Sequence, residues 1–449
     1  MEKEFGTFER PFAPQSPWNS RPIDPKLEGI EIATAKFYPA VEEGPFSTAA
    51  FLASASDGPM EIKAPVGKKG IWDPDAEEFK DSLIIPRWPA AVTPATGGDG
   101  HADIVDSVDG LIHSFYQLRY VDGVWRTTQH SWSRLDGRGW GDPAHYFQGA
   151  RATGVPTIGG VIRRHEMNDG DTLFRHALAM SLNETSLSPS PAYVYPATAA
   201  DWDAAKVHLG TIPEGTLMML PPDYDTSKIA NPVLKRVADT LKVYGAYVVD
   251  RNQGSPFIIY AEIGGGFHLH GGRGRWDNAV ATELQRIRAA LRMVVSASGW
   301  LDGRGNSFNP PRNFNILSMR GAWSLERGTV KGVYDTRKQA VVFSADATDV
   351  QQSNSSGRNI TTISWAVPVA GQRYQLTAVT EGGGRLRLRL RDADGRFQFD
   401  SGELKNGKSV QFVWPAGYKG ALVTAIAGST GESAVGGTLV RIGSGLAAA

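Results

Sequence analysis

All nine histidines of the 449-residue chain fall between residues 101 and 270, and six of them, His101, His113, His130, His145, His165 and His176, stand within residues 101–176. Imidazoles interleaved with tyrosine, carboxylate and guanidinium groups suit proton transfer. The best-defined feature of this stretch is a meander of three expected strands, HADIVDSV, LIHSFYQLRYV and VWRTTQHSWSRL, joined at Asp109-Gly110 and Asp122-Gly123. Asp-Gly between alternating apolar residues is the signature of a tight hairpin. Two-residue turns would set Asp103 opposite Tyr116 and Tyr116 opposite Gln129. One wet face then carries these three, with His101, Ser114, Tyr120 and Trp125 beside them. The other face carries Ile104, Val108, Leu111, Phe115 and Trp132 as core, together with Asp106, His113 and His130.

Such a face suits β-elimination on a uronate-containing polysaccharide. Gln129, with Arg134, Arg163 or Arg164, would neutralise the substrate carboxylate, and Tyr116 or His101 would take the acidified proton. Tyr116 and Gln129 also read as ordinary cross-strand partners. Hydrolysis would instead need two carboxylates about 5 to 9.5 Å apart. Asp103 with Asp106, Asp136 or Glu166 would supply such a pair, and the spacing singles out none of them.

A second cluster lies in GVIRRHEMNDGDTLFRHALAMSL. Arg164 and His165 stand near a turn, where they would reach an open site. His176 shares its strand face with Phe174, Leu178 and Met180, as a core histidine does. Tyr120, Trp125, Arg134 and Trp140 are the expected substrate contacts, because sugar rings stack on aromatic faces. His268 and His270 share one face of a strand, a geometry open to a metal, but no third ligand is in view. No metal and no cofactor is expected. No Walker, GxGxxG or GxSxG pattern sits in the required context.

These residues need a scaffold. The 51 glycines and 27 prolines lie between short β-branched and aromatic runs, the pattern of a mainly β fold. The proline-rich residues 1–45 read as an extended arm packed on the core. Residues 46–325 read as a β-sandwich or jelly-roll-like catalytic domain with two or three helices. The clearest helices are residues 232–245 and 277–295; in the second, Val280, Leu284, Ile287, Leu291 and Val294 recur at helical spacing and would cover one sheet face. Residues 326–449 read as a smaller β-sandwich accessory domain of carbohydrate-binding type. There RLRLRLRDADGRFQF alternates buried leucines with a cationic, solvated ribbon.

Lys plus Arg equals Asp plus Glu at 47 each, and the pI is near 7.2. Such balance disfavours nucleic acid as a partner. No apolar run approaches the roughly 18 residues of a membrane span. Cysteine is absent, so thiol chemistry and disulfides are excluded. The expected setting is secreted or cell-surface with the leader removed, as a monomer or small homo-oligomer.

Three passages, GDGHADIVDSVDGLIHSFYQL, GARATGVPTIGGVIRRHEMNDGDTLFRHALAMSL and VLKRVADTLKVYGAYVVDR, resemble a group of secreted bacterial β-rich proteins with little functional description. The shared features map to Gly154-Val155-Pro156, Gly159 to Arg163, His176 to Leu178, and Leu241 to Asp250, within about residues 17–265. The resemblance implies a secreted bacterial origin and a β-rich fold, and brings no catalytic assignment. A fainter similarity to jelly-roll polysaccharide lyases rests on the mixture of Tyr, Gln, His and Arg. The reading is a polysaccharide-degrading enzyme, lyase ahead of hydrolase, with a non-catalytic carbohydrate-binding or adhesion protein as the remaining alternative.

Overall fold

The computed structural model describes residues 4–443 apart from 273, 312, 355–359 and 362. The first three residues of the expected arm and the last six of the expected sandwich lie outside the described residues. Strands dominate, and the described residues hold three α-helices, Ala204–Val207, Pro232–Val243 and Asn278–Ala290. The chain is mainly β, as its composition implies. It divides into one unit of Met1–Asp73, Phe79–Asp142 and Tyr146–Pro310, and a second of Pro74–Glu78, Pro143–His145 and Pro311–Ala449.

The first unit is a stack of layers. Helices Pro232–Val243 and Asn278–Ala290 start where Asn231 and Asp277 accept backbone N–H bonds through their side chains. Leu234, Val237 and Leu241 of one helix, and Val280, Leu284 and Ile287 of the other, bury against Leu178, Met180, Met218, Val248 and Ile259. Those residues belong to a seven-stranded mixed sheet, ordered Lys26–Glu28, Arg292–Ser296, Leu217–Met219, Ala246–Asn252, Leu178–Asn183, Phe257–Tyr260, Ala40–Glu42. Its opposite face, with Ala179, Met219, Tyr247, Val249 and Tyr260, packs on Val105 and Ile112 of a six-stranded sheet. Trp18 and Trp140 are stacked at 5.4 Å between these layers, with Tyr247 edge-on to both. Burying an aromatic of this size contributes roughly 4 to 6 kcal/mol before entropy is charged against it. Gly160 is required beneath Trp18, since a Cβ there would collide with the indole and with the Ala179 N–H.

The six-stranded sheet runs Ala50–Ala53, Ala102–Asp106, Leu111–Tyr116, Gln129–Arg134, Ile71–Asp73, Glu78–Lys80. Its two hairpins correct the expected register in one place. Asp106 pairs with Leu111, so the first connection holds four residues and not two, and Asp103 opposes Ser114 instead of Tyr116. The cause is the Asp106 carboxylate, which accepts from the N–H groups of Val108 and Asp109 and closes a wider turn. A slip of two keeps the same side chains on the same face. Tyr116 does oppose Gln129. At the second turn Asp122 and Gly123 both have positive φ, as a tight hairpin turn requires. The ribbon breaks beside Gln117, where φ is +56°, and its tip, Arg119–Val121 and Val124–Arg126, joins a separate four-stranded sheet with Met60–Lys63 and Ser82–Ile85.

The expected wet face is mostly dry. Asp103, Ser114, Ser131 and Ser133 are buried among the residues that face the seven-stranded sheet. Ala102, Ile104 and Phe115 on the reverse are covered by Ile62, Ile85 and Trp88. A sheet sandwiched on both sides leaves only its ends to solvent.

The second unit holds two five-stranded antiparallel sheets. One is ordered Ser324–Arg327, Gln351–Asn354, Gly420–Ile426, Arg385–Arg391, Phe397–Asp400, and the other Val333–Asp335, Ala340–Phe343, Ser433–Ile442, Arg373–Glu381, Ser409–Val413. Leu386, Leu388 and Leu390 are fully buried, as the alternation requires. The arginines between them do not form a free cationic ribbon: Arg385 bonds Asp349 and Glu403 at 2.8 and 2.9 Å, and Arg387 bonds Asp400. Residues 360–369 form a single bridge at Ile360 and a short 3-10 turn, Ser364–Ala366; residue 362 lies outside the described residues.

Candidate functional site

The concentration of perturbed charge in the first unit lies at one end of the stacked sheets. Asp250 sits in Ala246–Asn252, where the ladder with Leu178–Asn183 skips a residue between Met180 and Ser181. This bulge lets Val249 and Asp250 both address the face that carries Tyr247 and Tyr260. Arg151 donates to Asp250 at 3.3 Å and lies 4.1 Å above the Tyr260 ring. Its side chain is wholly buried, and its Nε and Nη2 have no partner.

Asp99 reaches the same place from the loop before Ala102–Asp106. The turn needs Gly100, with φ of +47° and the Arg119 guanidinium packed where a side chain would stand. The Tyr116 hydroxyl and the Asp99 carboxyl are close enough to shift one another. His101 is buried beside it, its ring 5.8 Å from that of Tyr116, with Nε2 3.9 Å from the Asp99 carboxylate. Asp201 and Asp203 come from the loop before Ala204–Val207, and Arg251 lies 3.9 and 3.1 Å from their carboxylates. Glu214 is fully buried and accepts from the Asp201 N–H at 3.0 Å. Trp202, between the two aspartates in sequence, is 90% exposed.

The electrostatics follow from burial and mutual repulsion. Asp250 is pushed up to about 7 by burial, then by Asp201 and Asp99, against the pull of Arg151. Burial raises Asp99 as well, with Arg151 opposing and Asp201 adding. Glu214 is held well above the usual carboxylate range by burial and by Asp201 and Asp250, and so keeps its proton. His101 is driven well below the ordinary imidazole value by burial and by Arg151, and is neutral. Tyr116 is raised by burial and by the charges of Asp99, Asp250 and Asp201. Five carboxyl groups, Asp99, Asp201, Asp203, Glu214 and Asp250, thus meet three guanidinium groups, Arg119, Arg151 and Arg251. Like charges gathered at a half-buried surface separate proton affinities, which is how one carboxyl becomes an acid while a neighbour stays a base.

The expected site residues divide among several places. Tyr116 and His101 belong to the acid cluster. Asp103 does not: it accepts from the Ile158 N–H at 2.8 Å inside the core, where burial raises it to about 6. Gln129 stays opposite Tyr116 without joining the cluster's contacts. Arg134 is exposed and closes on Asp136 at 2.9 Å. Trp140 is buried, its Nε1 donating to the Thr153 carbonyl, so it offers no stacking surface. Tyr120 and Trp125 face each other across the second hairpin, rings 5.1 Å apart, on an open groove.

The second expected cluster forms a separate cavity of about 580 Å3, lined by His165, His176, Arg163 and Glu166 among others. His176 Nδ1 donates to the Ala177 carbonyl and Nε2 to Glu166 at 3.1 Å, which requires the imidazolium. Glu166 is lowered to about 2: His176 and hydrogen bonds outweigh its burial. Arg164 and Arg163 both engage Glu262. His270 stacks on Trp276 and accepts from the Asp277 N–H. Among the described residues no group of three His, Cys, Asp or Glu is gathered closely enough to hold a metal ion.

Asp99, Arg151, Asp201, Glu214 and Asp250 were not among the expected site residues. Three of them stand in the passages that carry the family resemblance, Asp99 in GDGH, Arg151 in GARATG and Asp250 at the end of the late helix motif.

No family model matches the chain, and no curated protein matches it. Among solved structures it is similar to accessory secretory protein 1, 2 and 3 of Streptococcus pneumoniae, at 12% identity and a TM-score of 0.22, over 30% of this chain and 99% of that one. It is similar to TmCBM61 in complex with beta-1,4-galactotriose, at 16% identity and 0.19, over 27% and 88%. A third is the CBM22-1 xylan-binding domain of Paenibacillus barcinonensis Xyn10C, at 13% identity and 0.18, over 30% and 93%.

Proposed function

We propose that the first unit hydrolyses glycosidic bonds of an extracellular polysaccharide, with Asp250 as the general acid and Asp99 as the carboxylate that activates water or attacks. The observation that carries this reading is the convergence of Asp99, Asp201 and Asp250, close enough to shift one another, with Asp250 pushed up to about 7. An acid protonated near neutral pH can protonate a leaving oxygen, and its neighbour can remain charged to stabilise the oxocarbenium-like centre. Glu214, fully buried and protonated, positions Asp201. Tyr116 and His101 position Asp99.

Elimination ranks second. It would need a base of accessible proton affinity and cations around a substrate carboxylate. Tyr116 is instead raised by burial and by the surrounding acids, so its phenolate is disfavoured.

The test is release of reducing ends from a panel of neutral and uronate polysaccharides, with ultraviolet absorbance followed for an unsaturated product. Hydrolysis without absorbance is expected. Asp250→Asn and Asp99→Asn should each lower kcat by about 10²- to 10⁴-fold while the fold is kept. Wild-type turnover by Asp250→Asn would end the proposal.

A further inference from the structure

Next to the acid cluster lies a groove of about 760 Å3 whose lining includes Met60, Trp88, Thr93, Arg119, Tyr120 and Trp125. Tyr120 is 62% exposed, and Trp125 lies 5.1 Å from it on one side and 5.1 Å from Trp88 on the other. Three rings in tilted contact hold one another's orientation, so the surface they offer is set before anything binds.

This groove and the Asp99 turn are built as one piece. The Gln117 N–H donates to the Asp99 carbonyl at 2.6 Å, and the Leu118 N–H to the Gly100 carbonyl at 3.1 Å. Arg119 then donates to the carbonyls of Ala95, Gly97 and Leu118. The hairpin bearing Tyr120 and Trp125 is therefore tied at its base to the loop that delivers Asp99.

We propose that the groove binds further sugar units of the same polysaccharide chain whose bond is cleaved at the acid cluster, a reading that rests on the hydrolase assignment. The occupant follows from the lining. Aromatic faces accept the C–H faces of sugar rings, and the Thr93 hydroxyl lies within the lining for ring hydroxyls. Arg119 is the one charged residue of the lining, and both of its Nη atoms already donate to backbone carbonyls, so a polyanion would meet a single cation with no free bidentate fork. Neutral saccharide fits both conditions.

The experiment uses the full chain carrying Asp250→Asn, which separates binding from turnover, titrated with neutral gluco-, xylo-, manno- and galacto-oligosaccharides of increasing length by calorimetry and tryptophan fluorescence. Affinity should rise with length for one series, and adding Tyr120→Ala with Trp125→Ala should remove that rise, with about tenfold weaker binding of the longest member. Circular dichroism shows that the variant is folded; if the pair unfolds it, Tyr120→Ala alone, at an exposed position, serves the same comparison. A length-dependent rise that survives the substitutions overturns the groove while leaving the hydrolase reading intact. Length-dependent binding lost on substitution, with no cleavage of any series by the unsubstituted chain, supports the groove and overturns the hydrolase reading. No binding by any series overturns the groove.

Discussion

At the scale of single residues, the consequence of Asp250 is a pH dependence of two kinds. The acid must be protonated to act, so kcat/KM should fall as pH rises through about 7. On the acid side activity should fall only as Asp99 gains its proton, above the ordinary carboxylate value of about 4 because burial raises it. Stability follows the same group. Folded Asp250 holds its proton to a higher pH than the unfolded chain, so protonated Asp250 favours the folded state below about 4, and that advantage is lost as pH rises towards 7. The Tm of the native chain should therefore drop more between pH 5 and pH 8 than that of Asp250→Asn, which has nothing to titrate there; equal slopes in a calorimetric series would refute the assignment. Histidine and tyrosine at this site were legible in the sequence, because a histidine-rich stretch and a hairpin signal mark them locally. Arg151, Asp201, Glu214 and Asp250 were not, since they come from loops and strands spread over a hundred residues of chain and only the layering of two sheets brings them together. Asp103 misled for the complementary reason: its alternation with apolar neighbours is the same whether its face meets water or a second sheet.

At the scale of elements, periodicity was a good guide and turn length a poorer one. The first long helix and the leucine strand Arg385–Arg391 stand where their spacing puts them, but the second helix ends at Ala290, and Val294, expected on its apolar face, lies in the strand Arg292–Ser296. Both Asp-Gly pairs do turn the chain, but Asp106 captures two N–H groups and widens the first turn by two residues, a side-chain competition that dipeptide signals do not encode. The arginines of the leucine strand looked solvated because their acidic partners, Asp349, Asp400 and Glu403, lie elsewhere in the sequence. The turn at Gly100 carries the sharpest consequence. Its φ of +47° and the Arg119 guanidinium against it leave no room for a methyl group. Gly100→Ala should cost about 1 to 3 kcal/mol in denaturant unfolding and displace Asp99, lowering kcat with it. An unchanged midpoint and unchanged turnover would show that the turn is not the support described.

At the scale of the whole molecule, the chain contributes to its second unit three times, through Pro74–Glu78, Pro143–His145 and Pro311–Ala449. Within that unit Asp75, 2% exposed, lies 3.3 Å from His145 and accepts from Gln339, and Arg320 donates to the Pro74 carbonyl. A chain ended at residue 310 strands Asp75, Ala76 and His145, all buried here, without the residues that cover them. Such a chain should be cut by protease first at residues 74–78 and 143–145, while the full chain resists there; equal cleavage patterns would contradict this. The proline and glycine punctuation of the sequence does not reveal such an arrangement, because those short segments look like any other loop. For anyone wishing to transplant the second unit into a different protein, a single splice point will therefore not suffice, because two short stretches far back in the chain must travel with it.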